Sequence, residues 1–144
     1  MATVNLTRTK RRHQKQHIST FTTDLALAET PTSADVYQLF ELPPASMVVR
    51  AQAVVMTANN AGTSAVGDLG FDGGDELLDG VDLTSVAGTV LTDDVAGLIA
   101  ETGGMVTWTP VYGGTAPTAG RVKIHIDYVE YEKTNGEVTN FASE

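Results

Sequence analysis

RVKIHIDYVEY, residues 121–131, is the stretch whose reading decides the fold. Val122, Ile124, Ile126 and Tyr128 alternate with Arg121, Lys123, His125 and Asp127, so one face of an extended strand is apolar and the other polar. A helical period of 3.6 would scatter the same residues around an axis. At Tyr128-Val129-Glu130-Tyr131 the alternation slips, which implies a β-bulge or a strand end whose outer face is covered by a partner. The second of these makes Tyr128, Val129 and Tyr131 candidates for self-association.

Upstream the same pattern recurs. Residues 18–23 and 36–42 are rich in β-branched and aromatic side chains, and Pro43-Pro44 stops the second run because proline removes a ladder donor. Residues 47–57 form the longest apolar segment. Strict alternation places Val49, Ala51, Ala53 and Val55 on one face and Val48, Arg50, Gln52, Val54 and Met56 on the other, which suggests a central strand covered on both sides. Short runs at 65–69, 77–83 and 88–91 follow, then a strand around Trp108 at 105–112. Gly80 and Gly88 confine any helix near Leu83 to about one turn. Asn59-Asn60 and the pairs Gly73-Gly74, Gly103-Gly104 and Gly113-Gly114 read as turns. Some eight short strands without a long amphipathic helix predict an all-β, two-sheet antiparallel sandwich, specifically a jelly roll.

The chain of 144 residues has a net charge of −9, and that charge is unevenly distributed. Arg8, Lys10, Arg11, Arg12 and Lys15 fall within the first seventeen residues beside no acid, whereas Arg50, Arg121, Lys123 and Lys133 stand among all eighteen acids. The first segment holds only Val4 and Leu6 as sizeable apolar side chains, too few for a buried face. The organisation expected is a basic extended arm over 1–17, a β-sandwich over 18–135 and a polar tail over 136–144. No run approaches the ~18–20 apolar residues of a membrane span, and no apolar core follows the basic start as in a secretory leader. No membrane association is expected.

Chemistry-bearing constellations are sparse. With no cysteine, thiol nucleophiles, disulfides and thiolate metal sites are excluded. His125 lies on the polar face of a strand without the partners a catalytic base needs. His13 and His17 have i, i+4 spacing but lack the zincin glutamate and stand in a cationic cluster. Asp68, Asp72 and Asp79 occupy the first, fifth and twelfth places of a calcium-loop template with Gly73 at the sixth. Gly70 stands at the third, and Asp79 where a bidentate glutamate belongs, so backbone geometry is the preferred reading for the loop spanning Asp68 and Asp82. The glycine pairs lack the Lys-Ser/Thr of a phosphate loop. The expectation is a non-enzymatic chain with no metal and no cofactor. Nucleic acid is an unlikely partner, because the acidic body would repel its backbone, so the arm is expected to lie along an acidic protein surface.

Several strings resemble the capsid decoration, or cement, proteins of tailed bacteriophages, of the small jelly-roll type. They are Leu6-Thr7-Arg8-Thr9-Lys10-Arg11-Arg12-His13, the run from Val48 through Arg50 and Met56 to Ala58, Val66-Gly67-Asp68-Leu69-Gly70, Leu78-Asp79-Gly80-Val81-Asp82-Leu83, and the closing strand at 122–131. The resemblance implies a homotrimer at local three-fold positions on the outer surface of a virion, holding neighbouring major capsid protein subunits together. It implies no catalytic residues. Arg8, Lys10, Arg11, Arg12, Lys15 and Phe21 are the expected capsid contacts. The rival expectation is a β-sandwich that binds carbohydrate or a host surface, for which an exposed Trp108 beside a groove would speak and a buried Trp108 would not.

Overall fold

The computed structural model describes residues 18–92 and 98–130. Among these, nine strands follow in chain order: β1 (Ser19–Ala26), β2 (Tyr37–Leu42), β3 (Ser46–Thr57), β4 (Ser64–Phe71), β5 (Leu78–Asp82), β6 (Val90–Thr92), β7 (Leu98–Ala100), β8 (Gly104–Gly113) and β9 (Arg121–Glu130). A 3-10 turn, Leu27–Glu29, is the one helical piece among the described residues, and it drops Leu27 into the core.

The pairings are nested. β4 pairs with β5, β3 with β6 and β7, β2 with β8, and β1 with β9, as in one long hairpin folded at the β4–β5 turn. Rolling that hairpin brings β9 against β3 and β8 against β4. Sheet A then has the order β1-β9-β3-β6, and sheet B the order β2-β8-β4-β5, with every pairing antiparallel. This is the jelly roll that the strand pattern predicts. β7 pairs with Ser46, Met47 and Val48, in line with β6 at Gln52, Ala53 and Val54, so one strand position is filled by two short pieces.

Both sheets turn their apolar residues inward. Val122, Ile124 and Ile126 of β9, Ala51 and Ala53 of β3, and Val106 and Trp108 of β8 are buried in one core with Leu42, Leu69, Leu78 and Leu83. Trp108 is opposite Leu69 and lies over Gly67, where an added Cβ would clash with the six-membered ring of the indole. Glycine at 67 is therefore a packing requirement of the tryptophan.

β3 corrects the sequence reading. Val48 pairs with Tyr128 and Arg50 with Asp127, leaving Val49 as an extra residue. The bulge moves Val48 onto the core face with Ala51, Ala53 and Val55, where strict alternation had put Val49. Its outward residues Arg50 and Met56 are exposed, so no second layer of described strands covers that face of β3. The turn of helix that the sequence permits near Leu83 does not form. Asp82 Oδ1 accepts hydrogen bonds from the backbone N–H of Thr84 at 2.8 Å and from its hydroxyl at 2.6 Å, and this Asx turn ends β5.

Candidate functional site

Arg8, Lys10, Arg11, Arg12, Lys15, His13, His17 and Tyr131 lie outside the described residues. Phe21, Tyr128 and Val129 lie within them and are brought to one end of sheet A. Phe21 on β1 stacks on Phe40 of β2, with ring centroids 4.0 Å apart and 11° between planes, and Phe40 meets Tyr128 at 6.2 Å. Three aromatics from both sheets thus close the seam between the β1 and β2 edges. Phe21 and Tyr128 are half-buried there, their rings committed in good part to their own core.

Val129 points the other way. It pairs with Met47 on the outer side of sheet A, and although only 8% exposed it is not a member of the core cluster. The slipped alternation has its physical cause here. Tyr128 stays inward in step with Ile126, Val129 turns outward, and the extra residue sits on the partner strand at Val49.

The outer face of sheet A is laced by side chains across strands. Asp127 accepts from Thr20 Oγ1 at 2.7 Å and from Arg50, whose Nη2 is 2.7 Å away. Thr22 Oγ1 and His125 Nδ1 are hydrogen-bonded at 2.9 Å, and Arg121 pairs with Asp24 at 2.9 Å. His125 is thereby an ordinary member of a polar rung between Thr22 and Gln52. All the described Lys and Arg residues, Arg50, Arg121 and Lys123, belong to this sheet.

Two acids of the calcium-like stretch, Asp68 and Asp72, serve backbone geometry. Asp68 Oδ1 accepts from the N–H of Gly80 at 2.7 Å and pins a bulge at which Gly80 has φ +56°. Asp72 itself adopts a positive φ of 50° in the turn after β4. Among the described residues no three His, Asp or Glu side chains come together as a metal would need. Trp108 is fully buried and takes no part in any outer surface. No described helix is long and apolar enough to cross a membrane.

No protein-family model matches the chain, and no curated protein matches it. Solved structures do. A chain of the cyanophage Pam1 capsid asymmetric unit superposes with a TM-score of 0.59 at 16% identity, over 90% of this chain and 99% of that one. A chain of the capsid of Ralstonia phage GP4 gives 0.60 at 19% identity, over 86% and 92%. The acid-stable capsid of Helicobacter pylori bacteriophage KHP30 supplies a third, 0.58 at 14% identity, over 81% and 93%. The fold is one found in bacteriophage capsids. At these identities the likeness is one of architecture, and individual side chains are not carried across.

Proposed function

We propose that the chain is a structural virion protein that binds the outer surface of a phage capsid and stabilises it, as a homotrimer and without catalytic chemistry. The observation that supports this reading most is the extent of the structural match. The match spans nearly the whole of each matched capsid chain as well as most of this one. A subunit that consists of little beyond a small sandwich suits an accessory role on a shell better than the building of the shell itself. The fully buried Trp108 removes the main feature on which a sugar-stacking surface would have rested.

The arm supplies the docking charge in this reading, with Arg8, Lys10, Arg11, Arg12 and Lys15 set against carboxylates of the major capsid protein. Removing residues 1–17 should leave the melting temperature of the body nearly unchanged and weaken binding to undecorated shells. The loss should be larger in low salt than in high, because exposed pairs are screened over about 8–10 Å near physiological ionic strength. Co-sedimentation of full-length and truncated protein with shells at two ionic strengths, with duplex DNA in parallel, tests this. Equal binding of both forms would sink the docking role, and binding to DNA alone would replace it. Sedimentation equilibrium of shell-free protein tests the trimer.

A further inference from the structure

The register of sheet A assembles an apolar rung on its outer face from four separate strand positions. Val129 of β9 is opposite Met47 of β3, and Met47 is opposite Ile99 of β7. Ile18 precedes Ser19, whose partner is Tyr128, so the antiparallel register sets Ile18 beside Val129. The two ends of the rung are open to solvent, Ile18 at 59% and Ile99 at 57% exposure. With strands about 4.8 Å apart, the four positions make a stripe on the order of 14 Å long.

Residues 1–17 and 131–144 join the body at this rung. Residues 1–17 enter through Ile18 itself, and residues 131–144 leave from Glu130, next to Val129. The neighbouring rung is Thr20, Asp127 and Arg50, in which the one carboxylate is already paired. An acidic partner surface therefore meets no unpaired carboxylate on that neighbouring rung, and the described cations all share its sheet. Sheet B would repel the same surface, since its strands and turns carry Asp68, Asp72, Asp75, Glu76, Asp79 and Asp82, and no Lys, Arg or His occurs from Ala51 to Gly120.

The size of the stripe also bears on what occupies it. Two half-exposed isoleucines flanking Met47 and Val129 offer a few hundred Å² at most, well short of the roughly 800 Å² per partner of a stable protein–protein interface. A second copy packed on the rung alone would be weakly held. A partner that also carries the arm is not so limited, because seventeen residues can run to about 56 Å when extended.

We propose that Ile18, Met47 and Ile99, with Val129 behind them, form the apolar seat by which the folded body rests on the surface that the arm grips, a protein surface whose carboxylates flank an apolar spot. This rests on the capsid-docking role above and adds a salt-resistant component to it. Both isoleucines are exposed, so Ile18→Ser and Ile99→Ser should leave the melting temperature within a degree or two.

The experiment is co-sedimentation of full-length protein with undecorated shells of the phage that encodes it, at 0.05 and 0.5 M salt. Four forms are compared: wild type, I18S/I99S, the form lacking residues 1–17, and Val86→Ser as an exposed apolar control away from the rung. The expected result is a loss on the order of ten-fold per isoleucine that persists at high salt, with V86S binding as wild type. Wild-type affinity of I18S/I99S at both salts overturns the seat while leaving the arm's role intact. Failure of wild type to bind shells under any condition overturns the docking role, and the seat with it. If I18S/I99S changes only the self-association of free protein, the rung is an interface between copies and the proposal is wrong.

Discussion

Sheet A and sheet B share one core but are held in shape by different means. Sheet A is tied by side chains reaching across strands, with Thr20 and Arg50 on Asp127, Thr22 on His125 and Arg121 on Asp24. Sheet B is tied by backbone and glycine. Gly67 makes room for Trp108, the N–H of Gly73 donates to Thr107 Oγ1 at 2.8 Å, and the N–H of Gly80 donates to Asp68. The difference teaches where each sheet tolerates change. Solvent-exposed side-chain ties contribute little and are screened by salt, whereas glycine packing fails as soon as a single carbon is added.

The largest test of that contrast lies under the tryptophan. Trp108→Ala should cost about 3–5 kcal/mol in urea unfolding, and Gly67→Ala about 1–3 kcal/mol, since the indole cannot shift without disturbing Leu69 and its neighbours. A Gly67→Ala protein as stable as wild type would show that the ring has room and that sheet B is not glycine-limited.

A middle-sized test compares one tie from each sheet. Asp68→Ala removes the acceptor for Gly80 N–H and should cost about 1 kcal/mol at any salt concentration. Arg50→Ala removes the exposed partner of the more buried Asp127, which keeps Thr20 as a donor, and should cost about 1 kcal/mol, shrinking in 0.5 M NaCl. Equal salt sensitivity of the two, followed by denaturant midpoints, would erase the distinction between the sheets.

The smallest effect is one of pH. The hydroxyl and then the backbone N–H of Thr84 donate to Asp82 and hold its carboxyl below the ordinary value. A pKa lower in the folded than in the unfolded chain stabilises the fold fully above the ordinary value, about 3.9. That contribution is lost as the pH falls through the folded value. The gap in melting temperature between wild type and Asp82→Ala should therefore narrow from pH 6 to pH 2.5. An unchanged gap would mean that the capping works through the neutral group alone.

The strands that carry their own alternation were legible in the sequence. β9 stands where its apolar period placed it, because a half-buried strand records its environment residue by residue, and β8 stands where the run around Trp108 placed it. The bulge at Val49 was not legible: one extra residue flips the faces of everything before it, and Val48 and Val49 are chemically identical. β7 escaped notice because three residues, Leu98–Ala100, are too few to show a period. The apolar rung was invisible for a related reason. Its members are scattered from position 18 to 129 and become neighbours only through a register the bulge helps to set. Tyr128 and Val129 drew attention as a pair, yet the strand sends them to opposite sides.

The nested pairing also fixes an order of events during synthesis. β9 is the last of the described strands to leave the ribosome, yet it lies between β1 and β3 in the middle of sheet A. Its contact with β1 joins residues as far apart as Ser19 and Tyr128, so the loop to be closed spans nearly the whole body. Until residues 121–130 emerge, the facing edges of β1 and β3 have no partner in their own chain and are open to a strand from another. Closure of sheet A thus waits on the last of its described strands, and crowding of many copies during that interval favours misassembly over monomeric closure.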